Sequence, residues 1–138
     1  MNRLSKTLEG IIAQTTFDTT RQGRLSSLKD RLMLALIGYK GSMARILLER
    51  NIEPWRLFQI AVRLDNSVDA YNNIERLNAV EFYGGYIEHL RAKYNNKEGL
   101  ITSIDAMIDI ISDSHTLTSK AFNLYDVTES DIIKWASK

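Results

Sequence analysis

The stretch KGSMARILLERNIEPWRLFQI at residues 40–60 predicts two short helices joined by a sharp turn at Asn51-Ile52-Glu53. Asparagine tolerates the left-handed backbone conformation that such a turn requires. Pro54 fixes a backbone torsion that suits the first turn of a helix, where its missing amide hydrogen would have no partner anyway. We therefore expect helices near residues 42–50 and 54–64, one on each side of the turn.

The first residues of the chain predict a separate amphipathic element. A short helix over residues 4–14 is indicated by four apolar residues at helical spacing: Leu4, Leu8, Ile11 and Ile12. An isolated helix of this length is unstable and needs a surface to pack on. The threonine-rich residues 15–23 then predict a linker. We expect residues 1–24 to form a helical arm with its linker, either swapped between subunits or docked on its own core.

Residues 25–138 predict a single α-helical domain, and the fold class is all-α, a compact multi-helix bundle with the short N-terminal arm attached. Alternation of apolar and polar residues, which is typical of strands, is absent. One helix is expected to end at Gly38 or Gly41. A longer helix starts at Ser67, and we expect Gly84-Gly85 to kink or break it, because each glycine costs roughly 1 kcal/mol relative to alanine in a helix interior.

The C-terminal part predicts one amphipathic helix with acidic residues on its polar side, followed by two shorter helices. The apolar stripe of the amphipathic helix is Leu100, Ile104, Met107, Ile108 and Ile111. Its other side carries Asp105, Asp109 and Asp113, which we interpret as a solvated face rather than a metal site. The last helix is opened by Thr128 with Asp131 three residues later, a capping-box pattern.

Composition limits the class of protein. The 138 residues are 44% hydrophobic and 25% charged, which fits one soluble domain. Without cysteine the chain has no disulfide and no thiol nucleophile. Neither a signal peptide nor an apolar run of ~18 residues is visible, so we expect a cytoplasmic protein with no membrane partner. Residues 1–63 carry eleven Lys or Arg and five acids, whereas residues 64–138 carry seven and twelve.

Residues 41–64 resemble the helix-turn-helix of the factor-for-inversion-stimulation type. In that family a Gly-Asn pair precedes the first helix and a Gly-Ile turn precedes the recognition helix. The corresponding positions here are Gly41-Ser42 and Asn51-Ile52. The chain departs from the family pattern at Leu47, where a small Ala is usual, and at Arg50, where an apolar residue is usual.

The resemblance implies that the helix beginning at Pro54 enters the major groove of duplex DNA. Arginine and glutamine side chains have the donor patterns that read guanine and adenine edges, and further basic residues bind phosphate. The expected contacts to nucleic acid are Lys40, Arg45, Arg50, Trp55, Arg56, Gln59 and Arg63. The alternative is an ordinary helical hairpin with a solvated basic face.

Two other features have a structural and a functional interpretation. Residues 117–135 have an apolar spacing similar to that of a helix-turn-helix, but we expect their turn to be one residue longer than is usual in that motif. Glu129 and Asp131 would repel phosphate at the position of the recognition helix. A packing or partner-docking helix anchored by Trp135 is therefore expected there. The aromatic residues of the middle of the chain predict a core or a subunit interface, with stacking on bases as the alternative; they are Tyr71, Phe82, Tyr83, Tyr86 and Tyr94.

Catalytic signatures are absent from the sequence. It has no phosphate-binding glycine loop and no nucleophile elbow, and His89 and His115 lack metal-ligand spacing. We therefore expect a non-enzymatic protein without a cofactor, a metal or a small-molecule substrate. The leading hypothesis is a small duplex-DNA-binding accessory protein that acts as a homo-oligomer. Its outline is similar to phage small terminase subunits and small transcription regulators, which implies a phage or mobile-element origin. The alternative hypothesis is an adaptor or inhibitor that docks on a partner protein through aromatic and apolar helices.

Overall fold

The computed structural model describes residues 3–22, 28–38, 42–53, 56–57, 59–60, 63, 79–113 and 116–136. These residues form helices and no sheet, so the all-α prediction is confirmed. The helices are α1 (Lys6–Gln22), α2 (Leu28–Gly38), α3 (Ser42–Glu49), α4 (Ala79–Lys93), α5 (Ser103–Ile111), α6 (Leu117–Leu124) and α7 (Glu129–Ala136). Between α3 and α4, the described residues Arg56, Leu57, Gln59, Ile60 and Arg63 are also helical. Ser67, the expected start of a longer helix, lies outside the described residues.

The first helix is longer than expected. Because α1 continues to Gln22, the prediction of a linker is wrong for residues 15–22. Thr15 and Thr16 are accommodated in the helix because their hydroxyls donate hydrogen bonds of 2.6 and 2.8 Å to carbonyl oxygens one turn earlier. These bonds satisfy polar groups that would otherwise compete with the helix.

The N-terminal segment docks on the chain's own core, which is one of the two arrangements expected for it. Leu4, Leu8 and Ile11 are buried against α2 and α4. The backbone ahead of α1 also pairs with the segment ahead of α5, since the amide of Ser5 donates to the carbonyl of Ile101 at 2.8 Å. Both contacts fix the start of α1 to the rest of the fold.

The paired glycines do not interrupt α4. The helix is continuous from Ala79 to Lys93, so the expected break at Gly84-Gly85 is wrong. Tyr83, Tyr86 and Leu90 on its inward side are buried. Burying such side chains stabilises the helix by more than the two glycines cost. The aromatic residues here are part of the core, as expected, and Tyr71 lies outside the described residues.

The start of α5 is fixed by a capping box. The Thr102 side chain accepts a hydrogen bond from the Asp105 amide, and the Asp105 carboxylate accepts one from the Thr102 amide. Leu100 precedes the helix and is half exposed. The inward face is centred on Ala106, Met107 and Ile110, so the predicted stripe is only partly the core-facing one.

Contacts over long sequence separations join α2 to the C-terminal helices. Asp30 is fully buried, and its carboxylate accepts hydrogen bonds of 2.7 and 2.8 Å from the amide and hydroxyl of Thr118 in the first turn of α6. Lys29 forms an ion pair with Asp113 at 3.0 Å. Buried side chains from all the named helices form one cluster. No helix in the described part of the chain is both long and apolar enough to cross a lipid bilayer.

Candidate nucleic-acid interface

The turn after α3 is a Schellman motif centred on Asn51. Asn51 has a positive φ of 61°. The Ile52 amide donates to the carbonyl of Leu47 at 2.9 Å, and the Asn51 amide donates to the carbonyl of Leu48 at 3.0 Å. Leu47 and Ile52 are both buried, which supplies the apolar contact that accompanies this motif. The prediction of a left-handed turn at Asn51 is confirmed.

The helix that follows this turn has an apolar inner side and a polar outer side. Its first turn is closed by hydrogen bonds from the amides of Arg56 and Leu57 to the carbonyl of Glu53. Leu57 is only 1% exposed, and Ile60 is partly buried against the core. The residues that helical spacing places on the other side, Arg56, Gln59 and Arg63, are exposed.

The cationic side chains of this region are accessible. We call residues 42–63 the basic unit; its described residues carry four arginines and two glutamates. Among the residues that the structure describes, no carboxylate lies within 4 Å of Arg45, Arg56 or Arg63. These guanidinium groups can therefore approach phosphates or bases without first breaking a described ion pair. The other predicted contacts, Lys40 and Trp55, lie outside the described residues.

Arg50 differs from the other arginines because it already has a partner. Its guanidinium lies over the ring of Trp135, 5.3 Å from the ring centroid. Trp135 itself is partly buried against the core, so it acts as a packing anchor of α7 within this chain. Contact between Arg50 and phosphate would compete with this stacking.

A second helix–turn–helix arrangement lies at the C-terminus. We call residues 116–136 the acidic unit. Asp126 has a φ of 57° and occupies the place of Asn51. The Val127 amide donates to the carbonyl of Phe122 at 3.0 Å, as Ile52 does to Leu47 in the basic unit. The two turns of this chain therefore have the same length and the same hydrogen bonds.

The acidic unit repeats the backbone of the basic unit without its charge. Ile132 takes the buried position of Leu57, whereas Asp131 stands where the basic unit has Arg56. The Asp131 carboxylate accepts hydrogen bonds from the amide and hydroxyl of Thr128, so the predicted capping box is confirmed. Acidic groups on this face repel phosphate. The sequence predicted the similar apolar spacing of the two units, but the matching left-handed turn at Asp126 was missed; its signal was an Asn or Asp followed by a β-branched apolar residue.

The predicted solvated face of α5 is instead a set of paired carboxylates. Asp109 is 5% exposed. Its Oδ2 accepts from the Tyr86 hydroxyl at 2.7 Å, and its Oδ1 lies 2.8 Å from both Nε2 of His89 and Nζ of Lys93. Asp105 and Asp113 are paired with lysines. The expectation of a solvated face is wrong, because three side chains of α4 cover Asp109, while Asp113 is paired with Lys29 of α2 and Asp105 with Lys97 of the loop before α5.

The electrostatics of this cluster follow from its burial. Burial alone would raise the pKa of the Asp109 carboxyl, but the hydrogen bonds from Lys93, His89 and Tyr86 outweigh it and hold that pKa below its ordinary value. Burial and the charge of Asp109 raise the pKa of the Tyr86 hydroxyl well above its ordinary range. The cluster thus holds an ionised carboxylate against neutral tyrosine and ties α4 to α5. No group of metal-ligating side chains occurs in the described ranges, and His115 lies outside them.

No protein-family model, no curated protein and no solved structure matches this chain. Function is therefore inferred from the chain's own geometry and charge. The structure describes five of the seven predicted nucleic-acid contacts, and it places all five at the surface. They are Arg45, Arg50, Arg56, Gln59 and Arg63.

Proposed function

We propose that this chain is a duplex-DNA-binding accessory protein that acts through its basic unit, by binding rather than by catalysis. One observation carries the proposal. Arg56, Gln59 and Arg63 are exposed on one side of a helix whose other side is fixed in the core by Leu57. A helix held in this way behind a sharp turn presents its outer side chains as a rigid set, as recognition helices do.

The chemistry of the exposed side chains suits the major groove. Arginine can donate two hydrogen bonds to guanine, and glutamine can pair with adenine. Arg45 is exposed on α3, the helix before the turn, and we expect it to contact the phosphate backbone. Glu49 and Glu53 are also exposed and offset part of the positive charge. A single basic unit should therefore bind weakly, and useful affinity requires two units in one oligomer.

The acidic unit supplies a matched control for this proposal. Lys120 occupies the place of Arg45, and Lys134 occupies the place of Gln59; both lysines are exposed. The double variant Arg56→Ala/Arg63→Ala and the double variant Lys120→Ala/Lys134→Ala lose the same charge from equivalent backbones. Any difference between them reports which unit contacts DNA.

The experiment is a fluorescence-anisotropy titration of a labelled random duplex with each variant between 50 and 200 mM salt. A random duplex offers no defined base sequence, so Arg56 and Arg63 should contact its phosphates, and removing both should lower the slope of log affinity against log salt by about 2. We expect this loss for Arg56→Ala/Arg63→Ala and little change for the lysine pair. An equal decrease of the salt slope in both double variants would indicate that DNA is attracted to the whole protein surface without preference for the basic unit. Failure of the wild-type chain to bind at 50 mM salt would exclude duplex DNA as the ligand.

A second candidate function is docking on a partner protein as an adaptor or inhibitor. It is favoured by apolar side chains left at the surface: Leu48 is 54% exposed, Leu124 is 70% exposed and Ile133 is 46% exposed. Binding through such side chains should respond little to salt, whereas binding to DNA should weaken steeply. The salt titration therefore separates the two candidates once a partner is supplied.

A further inference from the structure

The packing of α1 beside α4 leaves a groove of about 610 Å³ on the surface. Its floor is apolar and includes Leu4, Ile12 and Tyr83, which also belong to the core. One rim of the groove is a face of α1, and the other is a face of α4. Val80 on the second rim is 64% exposed.

Each rim carries a small residue, which would allow another helix to pack closely against it. Ala13 is the small residue on the α1 rim, and Gly84 is the small residue on the α4 rim. A Cβ atom added to Gly84 would meet no other atom of the described residues within 4 Å, so no contact in that part of the chain requires a glycine at this position. Small side chains allow helices to pack at short interaxial distances.

The charges on the rims are complementary to each other. Glu9 lies on the α1 rim and Arg91 on the α4 rim. A two-fold axis along the groove exchanges the rims, so that α1 of one copy packs over α4 of the other. Glu9 then faces Arg91 of the partner subunit, and the pairing occurs twice because the interface is isologous. Within its own chain Arg91 contacts Glu88, an exposed pair on the same helix that contributes little.

The surface area of the two helices suits a weak dimer. The 17 residues of α1 span about 25 Å. Two adjacent helices, each about 10 Å wide, present a face of about 500 Å² per subunit, or about 1,000 Å² in the pair. That total lies at the lower limit for specific interfaces. We infer that the α1–α4 groove is the site at which a second copy of this chain docks, in a reversible two-fold dimer.

The dimer deepens the proposed function, and its relevance to DNA rests on that function. Two copies bring two basic units onto one particle, which raises the effective concentration of the second unit once the first is bound. Dimerisation itself needs no DNA. The two proposals can therefore be refuted separately. A chain that dimerises but does not bind DNA would refute the proposed function alone, and a chain that binds DNA as a monomer would refute the dimer alone.

The test is a pair of charge reversals on the full chain. Glu9→Arg or Arg91→Glu should each weaken dimerisation by about tenfold or more, because like charges then face each other. The double variant should restore the dimer. Glu98→Arg and Lys120→Glu make the same net charge changes at exposed positions outside the groove and should leave dimerisation unchanged.

Oligomeric state is measured by sedimentation equilibrium over a wide range of protein concentration, with far-UV circular dichroism as the test of folding. Restoration by the double variant cannot arise from a folding defect in the single variants. A wild-type chain that stays monomeric at the highest concentration would overturn the inference. So would a dimer that the single reversals leave intact, or a double variant no more dimeric than the singles.

Discussion

The guanidinium of Arg50 stacks over the indole ring of Trp135, 5.3 Å from the ring centroid. This contact joins the end of α3 to α7, and so joins the basic unit to the acidic unit. Cation–π contacts at exposed sites contribute about 0.5–1 kcal/mol. The stacking thus adds a surface contact between two units whose buried side chains already share one core.

We predict that Arg50→Ala lowers the free energy of unfolding by about 0.5–1 kcal/mol, the amount expected for an exposed cation–π contact. Arg45→Ala is the matched control, since Arg45 is exposed in α3, the helix that Arg50 directly follows, and has no ring or carboxylate partner among the described residues; it should change stability by less than about 0.5 kcal/mol. Urea unfolding followed by circular dichroism measures both. Equal effects would show that the stacking contributes nothing.

The two left-handed turns predict a pair of matched substitutions. Asn51→Ala and Asp126→Ala should each destabilise the chain by about 1 kcal/mol, because alanine lacks the short polar side chain with which Asn and Asp tolerate a positive φ. Asn51→Gly and Asp126→Gly should be neutral or stabilising, since glycine has no such cost. The midpoint of urea unfolding is the measurement. If alanine and glycine behave alike at either site, that turn does not have the left-handed conformation.

The glycines of α4 predict a stabilising change. Gly85 is exposed in the interior of a continuous helix, and within the described ranges an added Cβ would meet no atom closer than 4 Å. Gly85→Ala should therefore raise the free energy of unfolding by about 0.5–1 kcal/mol. Gly99→Ala is the opposite control and should destabilise, because Gly99 has a φ of 88°. A melting temperature that falls for Gly85→Ala would mean that the residue has a role outside the contacts of this fold.

The features that could be predicted from the sequence are those determined by a few neighbouring residues. Asn51 marks a left-handed turn, Thr128 and Asp131 mark a helix start, and the spacing of Arg56, Gln59 and Arg63 marks one helical face. Each of these depends on a few neighbouring residues, and each agrees with the structure.

Features that depend on distant residues could not be predicted. The helix continues through Thr15 and Thr16 because α1 is buried against α2 and α4. Asp109 is buried because α4 supplies three donors to it. The stacking of Arg50 on Trp135 joins residues that are far apart in the sequence. Periodicity alone assigns such residues to a face but does not identify what covers that face.

The Asp109 cluster predicts a specific dependence of stability on pH. The pKa of Asp109 is lower in the folded chain than its ordinary value of 3.8. The unfolded state therefore binds the proton more readily, and stability is lost as the pH falls from about 3.8 through the lower folded pKa. Above that window the stabilisation is fully present. Asp109→Asn should destabilise the chain at pH 6 because the charge-assisted hydrogen bonds from Lys93 and His89 are lost.

The measurement is the difference in free energy of unfolding between the wild type and Asp109→Asn from pH 2 to pH 6. We expect this difference to be constant above pH 4 and to shrink below it, because the wild type progressively loses the charge that the variant lacks throughout. Asp126→Asn is the control, since Asp126 is exposed in a turn, and its difference from the wild type should stay nearly flat. A difference for Asp109→Asn that does not change with pH would show that this carboxylate is not held ionised by its three partners.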